Sequence, residues 1–188
     1  MSRWEPDARG RLEAAALDLY GEHGYDNTTV AEIAERAGLT ERTYFRHFAD
    51  KREVLFAGAG DLQDQLVTGV LDAPESAPPI DAVALALQAA APRFDQRSVQ
   101  VAQRHAVISV NPELQERELI KLAWLAAALA DALRRRGVRE PAASLAAEAG
   151  IAVFKIAFER WLTERSRRGL AACIRDCFGE LKLVTAGG

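Results

Sequence analysis

Two very short helical segments, separated by a tight turn, constrain the fold more than any other feature of this sequence. They lie in NTTVAEIAERAGLTERTYFRHF. Thr29 can cap the first segment, and Glu32, three residues on, completes a capping box. Gly38 suits the left-handed conformation that ends a helix, and Thr40 is the next candidate cap. We therefore predict helices over Val30–Ala37 and over ERTYFRHF, joined as in a helix-turn-helix.

Apolar residues recur at three- and four-residue spacing along the whole chain, which is typical of amphipathic helices, and no segment alternates like a strand. We predict an all-α protein of about nine helices. One of them starts near Asp7 and ends at Gly24, and another runs without a break from Asp50 to the proline-rich segment DAPESAPP. The remaining helices are predicted over Asp81–Ala91, Pro92–Val110, Glu113–Arg136, Pro141–Arg167 and Leu170–Val184.

The charge of the chain does not favour nucleic acid, because the formal net charge is −3. The stretch Leu39–Arg52 differs, with four cations against two anions. The only two cysteines, Cys173 and Cys177, lack a companion cluster of histidines or carboxylates, so apolar packing is favoured over a metal site. No secretory signal and no apolar run of about 20 residues is present, so we expect a cytoplasmic protein without a membrane span, metal or cofactor.

The run AALDLYGEHGYDNTTVAEIAERAGLTERTYFRHFADKREVLF resembles the DNA-binding domain of the tetracycline-repressor-like (TetR) family of bacterial transcriptional regulators. Its glycines, its Thr-Val helix start, its IAERAG turn and its aromatic-His-Phe-x-x-Lys ending fall at the family's spacing. The rest of the chain matches in layout only. The resemblance implies a homodimer with a helix-turn-helix DNA-binding domain over residues 1–50 and a ligand-binding and dimerisation domain over residues 51–188.

The resemblance also implies a set of DNA-contacting residues. Arg42 and Thr43 stand near the start of the second short helix, where an arginine can pair with guanine, although a solvated surface arginine is the alternative. Thr29 either binds a phosphate at its helix start or serves only as a cap. The full predicted set is Thr29, Thr40, Arg42, Thr43, Phe45, Arg46, His47 and Lys51.

One position departs from the family pattern. The family commonly has a tyrosine, whose hydroxyl binds phosphate, where this sequence has Phe45. Arg46 can restore the lost contact, and Tyr44 is the other candidate for a replacement hydroxyl. Tyr44 and Phe48 share a helix face at spacing four, however, and we predict that both belong to the core.

The C-terminal region supplies candidates for the dimer interface and the ligand pocket. The last two helices are amphipathic and are expected to dimerise, with packing on their own subunit as the alternative. The predicted interface residues are Phe154, Phe158, Trp161, Ile174, Cys177 and Phe178. The resemblance also implies a pocket, for which the candidate residues are Phe94, Val101, His105, Trp124 and Leu125; residues of these types more often belong simply to the core.

The function predicted from these features is that of a ligand-responsive repressor. It would bind a palindromic DNA operator as a homodimer and be released by a small-molecule effector. A helical carrier or enzyme without a DNA-binding role is the main alternative, but no nucleophile–base pair, phosphate loop or metal-ligand spacing supports an enzyme. A nonspecific DNA-architectural protein is disfavoured by the acidic N-terminal region.

Overall fold

The computed structural model describes residues 7–164 and 168–186, and every regular element within them is helical. Within these ranges, nine α-helices have at least seven residues, which confirms the all-α prediction. No helix in these ranges is long and apolar enough to cross a membrane. The elements are α1 Ala8–His23, α2 Val30–Arg36, α3 Glu41–His47, a 3-10 turn Glu53–Phe56, α4 Ala59–Leu71, α5 Pro79–Ala90, α6 Pro92–Asp95, α7 Ser98–Ser109, α8 Pro112–Arg135, α9 Ala142–Glu164 and α10 Gly169–Thr185.

The continuous helix predicted from Asp50 onward is wrong, because the chain breaks twice before α4. The Asp50 carboxylate accepts hydrogen bonds from the backbone N–H groups of Arg52 (2.8 Å) and Glu53 (3.1 Å), which starts the 3-10 turn. Gly58 then has a φ of +79°, a conformation that no helix interior contains. Helix α4 can begin only after this glycine.

The helix predicted over Pro92–Val110 is likewise divided, into α6 and α7. The N–H of Arg97 donates to the carbonyl of Phe94 (3.1 Å), a tight turn that closes α6. The helix predicted over Pro141–Arg167 has its predicted end, Arg167, outside the described residues.

The described chain divides into two compact units. The first combines the described residues up to Gly58 with Val99–Glu118, and the second combines Ala59–Ser98 with the described residues from Leu119 onward. In the first unit, one core contains side chains from α1 to α3 together with Val107, Ile108 and Leu114. The domain boundary predicted after residue 50 stays a prediction, but it leaves out parts of the chain that pack in this core.

The second unit is built on helices that approach closely. Helix α5 packs against α4, α9 and α10, and α9 packs against α10. The guanidinium of Arg136 closes the end of α4, because it donates to the carbonyls of Val70 (3.0 Å), Ala73 (2.6 Å) and Pro74 (2.6 Å). Carbonyls at a helix C-terminus lack intrahelical partners, so this contact satisfies several of them at once.

The contact between α4 and α5 requires a glycine. A Cβ at Gly69 would lie 2.9 Å from the Cβ of Ala86 and 3.0 Å from its Cα, and neither atom can turn aside. We expect Gly69→Ala to lower the free energy of unfolding by about 1–3 kcal/mol. Gly60→Ala, in the same helix but with no described atom within 4 Å of its Cβ, should instead raise it by up to about 1 kcal/mol. Urea unfolding of both variants checks this; equal effects would contradict the close contact.

Candidate nucleic-acid interface

The capping box predicted at the start of α2 is confirmed. The hydroxyl of Thr29 accepts a hydrogen bond from the N–H of Glu32 (3.2 Å), and the Glu32 carboxylate accepts one from the N–H of Thr29 (2.7 Å). The hydroxyl of Thr29 also donates to this carboxylate (2.8 Å), and these bonds hold the pKa of Glu32 below its usual range. The geometry therefore supports the role of Thr29 as a cap, while its phosphate contact stays a prediction.

The turn into α3 is held from both sides. Thr40 caps α3, because its hydroxyl accepts from the N–H of Thr43 (3.2 Å) and lies 3.1 Å from the Thr43 hydroxyl. Gly38 has a φ of +67°, as the predicted left-handed position requires. Arg11, on α1, donates to the carbonyl of Ala37 at this turn. No sequence pattern predicts this role for Arg11, which lies 26 residues from Ala37 along the chain.

Tyr44 and Phe48 are buried, as predicted. The Tyr44 hydroxyl donates to the carbonyl of Asp50 (3.1 Å), and the Tyr20 hydroxyl donates to the carbonyl of Lys51 (2.9 Å). Burial raises the pKa of both phenols. Tyr44 therefore does not supply the hydroxyl that is missing at Phe45, since its own is directed into the protein.

The opposite side of α3 presents cations and one aromatic ring. Arg42, Arg46 and His47 are exposed, and Phe45 is 53% exposed. The Phe45 ring meets Tyr44 edge-on, with ring centroids 5.6 Å apart. Within the described parts of the chain, neither Arg42 nor Arg46 has a carboxylate partner. This surface can accept an anionic ligand without first breaking an internal ion pair.

Lys51 does not simply face solvent, as its predicted contact with the DNA backbone would suggest. Its ammonium donates to the carbonyl of Tyr25 (2.7 Å) and lies 4.1 Å from the centroid of the Tyr25 ring. The Tyr25 hydroxyl in turn donates to Glu113 (2.8 Å). Lys51 thus has a structural role, and only its remaining donors are available to a phosphate.

The predicted pocket residues are divided between the two units, with Val101 and His105 in the first. In the second unit, Leu125 is buried and Phe94 packs against Phe154, with centroids 5.7 Å apart. Trp124 is mostly exposed, so it does not line an enclosed cavity of its unit. The pocket assignment stays a prediction.

The predicted dimer interface stays a prediction, but the structure leaves three of its residues little exposed surface. Ile174, Phe178 and Trp161 are already buried within the chain, so they have little surface left to cover with a second copy. Phe154 and Phe158 stack on each other, with centroids 5.9 Å apart, and are half-buried. The amphipathic spacing of these five residues therefore reflects mainly their packing in the second unit.

Two family profiles match this sequence. The one described as "Bacterial regulatory proteins, tetR family" covers residues 12–57, and the one described as "MftR C-terminal domain" covers residues 77–185. Together with the capped helix pair, they define a helix-turn-helix DNA-binding transcriptional regulator. The chain belongs to the tetR family of bacterial regulatory proteins, and its relatives are named as regulators rather than as enzymes.

The similarity to curated relatives covers different shares of the chain. The chain is 29% identical over 161 residues to a protein of Mycobacterium tuberculosis (strain H37Rv) named as the mycofactocin biosynthesis transcriptional regulator MftR, covering 82% of this chain and 80% of MftR. It is 35% identical over 81 residues to the HTH-type transcriptional regulator TcmR of Streptomyces glaucescens, covering 43% of this chain. This match spans only 36% of TcmR.

Solved structures share the fold at low sequence identity. The complex of SmeT, from Stenotrophomonas maltophilia, with triclosan has a TM-score of 0.65 and 18% identity, covering 92% of this chain and 90% of SmeT. FadR of Thermus thermophilus, in complex with lauroyl-CoA, has a TM-score of 0.55 and 21% identity, covering 90% of this chain and 91% of FadR.

The contact between Lys51 and Tyr25 predicts a difference between two cations of the same surface region. Lys51→Ala should lower the free energy of unfolding by about 1–2 kcal/mol, because it removes a cation–π contact and a charged hydrogen bond. Arg46→Ala, at an exposed position without an ion-pair partner among the described residues, should change it by less than about 0.5 kcal/mol. Urea unfolding measures both free energies. Equal stabilities of the two variants would contradict the structural role of Lys51.

Proposed function

We propose that this regulator is a repressor that acts in the cytoplasm and binds a palindromic operator as a homodimer. Each copy inserts α3 into the major groove, and a small-molecule effector releases the DNA. The observation that carries the proposal is the exposed side of α3, where Arg42 and Arg46 have no carboxylate partner among the described residues while Tyr44 fixes the opposite side in the core.

The contacts on DNA divide by position along α3. Arg42, one residue into the helix, is placed for a bidentate contact with guanine, and Thr43 stands beside it. Arg46 and His47, in the last turn, suit the phosphate backbone. Phe45 contributes apolar contact with a sugar edge, and Thr29, Thr40 and Lys51 add backbone contacts at the rim.

A row of apolar residues on α9, exposed except for the half-buried Ala149, supports the dimer. Leu145 and Ile156 are large and exposed, and Ala149 and Ala152 lie between them at spacings of four, three and four. This spacing keeps all four on one helix face, which suits packing against a second helix. We therefore assign the dimer interface to this row rather than to the buried Ile174, Phe178 and Trp161.

The effector is an organic molecule with a large apolar part, and it is bound in the second unit. The proposal is supported by the neighbours of the same fold, which were solved with triclosan and with lauroyl-CoA. Phe94 and Leu125 are the candidate residues of this unit for an apolar site. Release of DNA requires only that the effector bind more tightly to a conformation whose two α3 helices no longer match the operator half-sites.

A mobility-shift titration on the promoters of the chain's own and neighbouring genes tests the function. Sequence-specific binding that a palindromic competitor abolishes supports it, and reporter expression that rises on deletion of the gene establishes repression. Equal affinity for any duplex, or no binding at low salt, would overturn it.

Arg42 and Arg46 should affect binding differently. Arg42→Ala is expected to cost about 1–3 kcal/mol at the preferred operator and to relax selection at one base position. Arg46→Ala should weaken binding to all duplexes alike and reduce the slope of log K against log salt concentration by about 1. Binding to a panel of operator variants at several salt concentrations separates the two. If Arg42→Ala leaves the base preference intact, the direct contact is ruled out.

The dimer assignment can be tested with two substitutions at similarly exposed positions. Ile156 is 60% exposed on α9, and Leu119 is 58% exposed on α8. We expect Ile156→Glu to produce a monomer, because it buries a charge in the apolar row, whereas Leu119→Glu should remain a dimer. Sedimentation velocity at several concentrations gives the result. A monomeric Leu119→Glu together with a dimeric Ile156→Glu would move the interface to α8.

A further inference from the structure

The first unit contains a cleft that the regulator function does not use. It lies between the C-terminal half of α1, with the turn after it, and α7, and its volume is about 620 Å³. Ligand pockets for small molecules have volumes of about 300–1,000 Å³. All lining residues come from residues 17–27 and 103–111, which belong to this unit.

The floor of the cleft is apolar. Leu17, Tyr20, Tyr25 and Val107 line it and are buried. Gly21 opens the cleft, because no described atom lies within 4 Å of the position that its Cβ would take. On the α7 side, the cleft is bordered by Val110, a large apolar residue that is 75% exposed. The surface therefore offers aromatic and aliphatic contacts to a ligand.

The charge of the lining has one sign. Asp18, Glu22 and Asp26 line the cleft, and no lysine, arginine or histidine does. Glu22 is compensated, because Arg36 donates two hydrogen bonds to it (3.0 and 2.9 Å). Asp18 and Asp26 are exposed and form no salt bridge with a described residue, although the Arg36 guanidinium also lies within electrostatic range of Asp18. Two carboxylates thus remain beside an apolar floor.

We propose that this cleft binds an amphipathic organic cation, such as an arylalkylammonium ion. The apolar part of the ligand packs on Tyr20, Val107 and the open space at Gly21, and the ammonium lies at Asp18 and Asp26. The site is separate from the effector site proposed in the second unit, so either can exist without the other.

Three probes that differ mainly in charge test the chemistry of the site on the full-length protein. They are 4-phenylbutyltrimethylammonium, 4-phenyl-1-butanol and 5-phenylpentanoate. We expect saturable 1:1 binding of the cation in calorimetry, with an affinity at least severalfold above that of the alcohol and weakened by salt. Amide shifts in NMR spectra should concentrate in residues 17–27 and 103–111. No saturable binding of the cation, equal binding of the anion, or shifts confined to other residues would overturn the proposal.

Substitutions then separate the charge of the cleft from its volume. Asp18→Asn combined with Asp26→Asn should weaken binding of the cation about two- to tenfold and leave binding of the alcohol unchanged, as expected for exposed charge pairs. Glu116→Gln, which removes an exposed carboxylate of the same unit outside the cleft, is the matched control and should have no effect.

Gly21→Leu tests the volume without endangering the fold. It places a side chain in the open space while improving the helix propensity of α1. Binding of all probes should be lost, with thermal stability unchanged or raised. If Gly21→Leu, folded and stable, binds the cation as tightly as the parent protein, the ligand does not occupy this cleft.

Discussion

The hydroxyls of two buried tyrosines fix consecutive carbonyls of the backbone, and the surface of α3 that is proposed to face DNA depends on them. Tyr44, on α3, donates to Asp50, and Tyr20, on α1, donates to Lys51. A buried carbonyl without a partner costs about 1–3 kcal/mol, so these bonds strongly favour one path for the chain leaving α3. Because burial raises the pKa of both phenols, they remain donors at ordinary pH. With Tyr44 fixed inward, the opposite face of α3 must point outward.

The same constraint decides which cations remain for DNA. Of the four in Leu39–Arg52, Lys51 contacts Tyr25 and Arg52 pairs with the Asp50 carboxylate (2.8 Å). Arg42 and Arg46 are the two of these four that keep no ion-pair or cation–π partner within the described chain. If α3 binds DNA as proposed, each copy neutralises few phosphates there, so nonspecific affinity is expected to be low. Under the proposed function, discrimination then comes from placed contacts and from the spacing of two copies.

Local signals in the sequence predicted the local structure. The capping box at Thr29, the cap at Thr40 and the burial of Tyr44 and Phe48 depend on residues three or four positions apart, and all are found. The contacts of Arg11, Tyr20 and Lys51 join residues 26 to 31 positions apart, and no short-range sequence pattern predicts them. Periodicity also left two readings open for α9 and α10, because it detects an apolar face without distinguishing a face packed in the core of its own chain from one left exposed.

Phe45 shows how one missing atom changes the chemistry expected of the surface. The family's tyrosine would offer phosphate a neutral hydroxyl, but here the ring is exposed without one and the neighbouring hydroxyl of Tyr44 points inward. On the exposed side of α3, phosphate would therefore meet chiefly the guanidinium group of Arg46, beside the ring of His47. A neutral donor adds little to the salt dependence of DNA binding. Each cation that neutralises a phosphate, by contrast, adds about one unit to the slope of log K against log salt concentration. The loss of the hydroxyl thus shifts α3 from neutral phosphate contacts toward ionic ones, whose strength falls as salt rises.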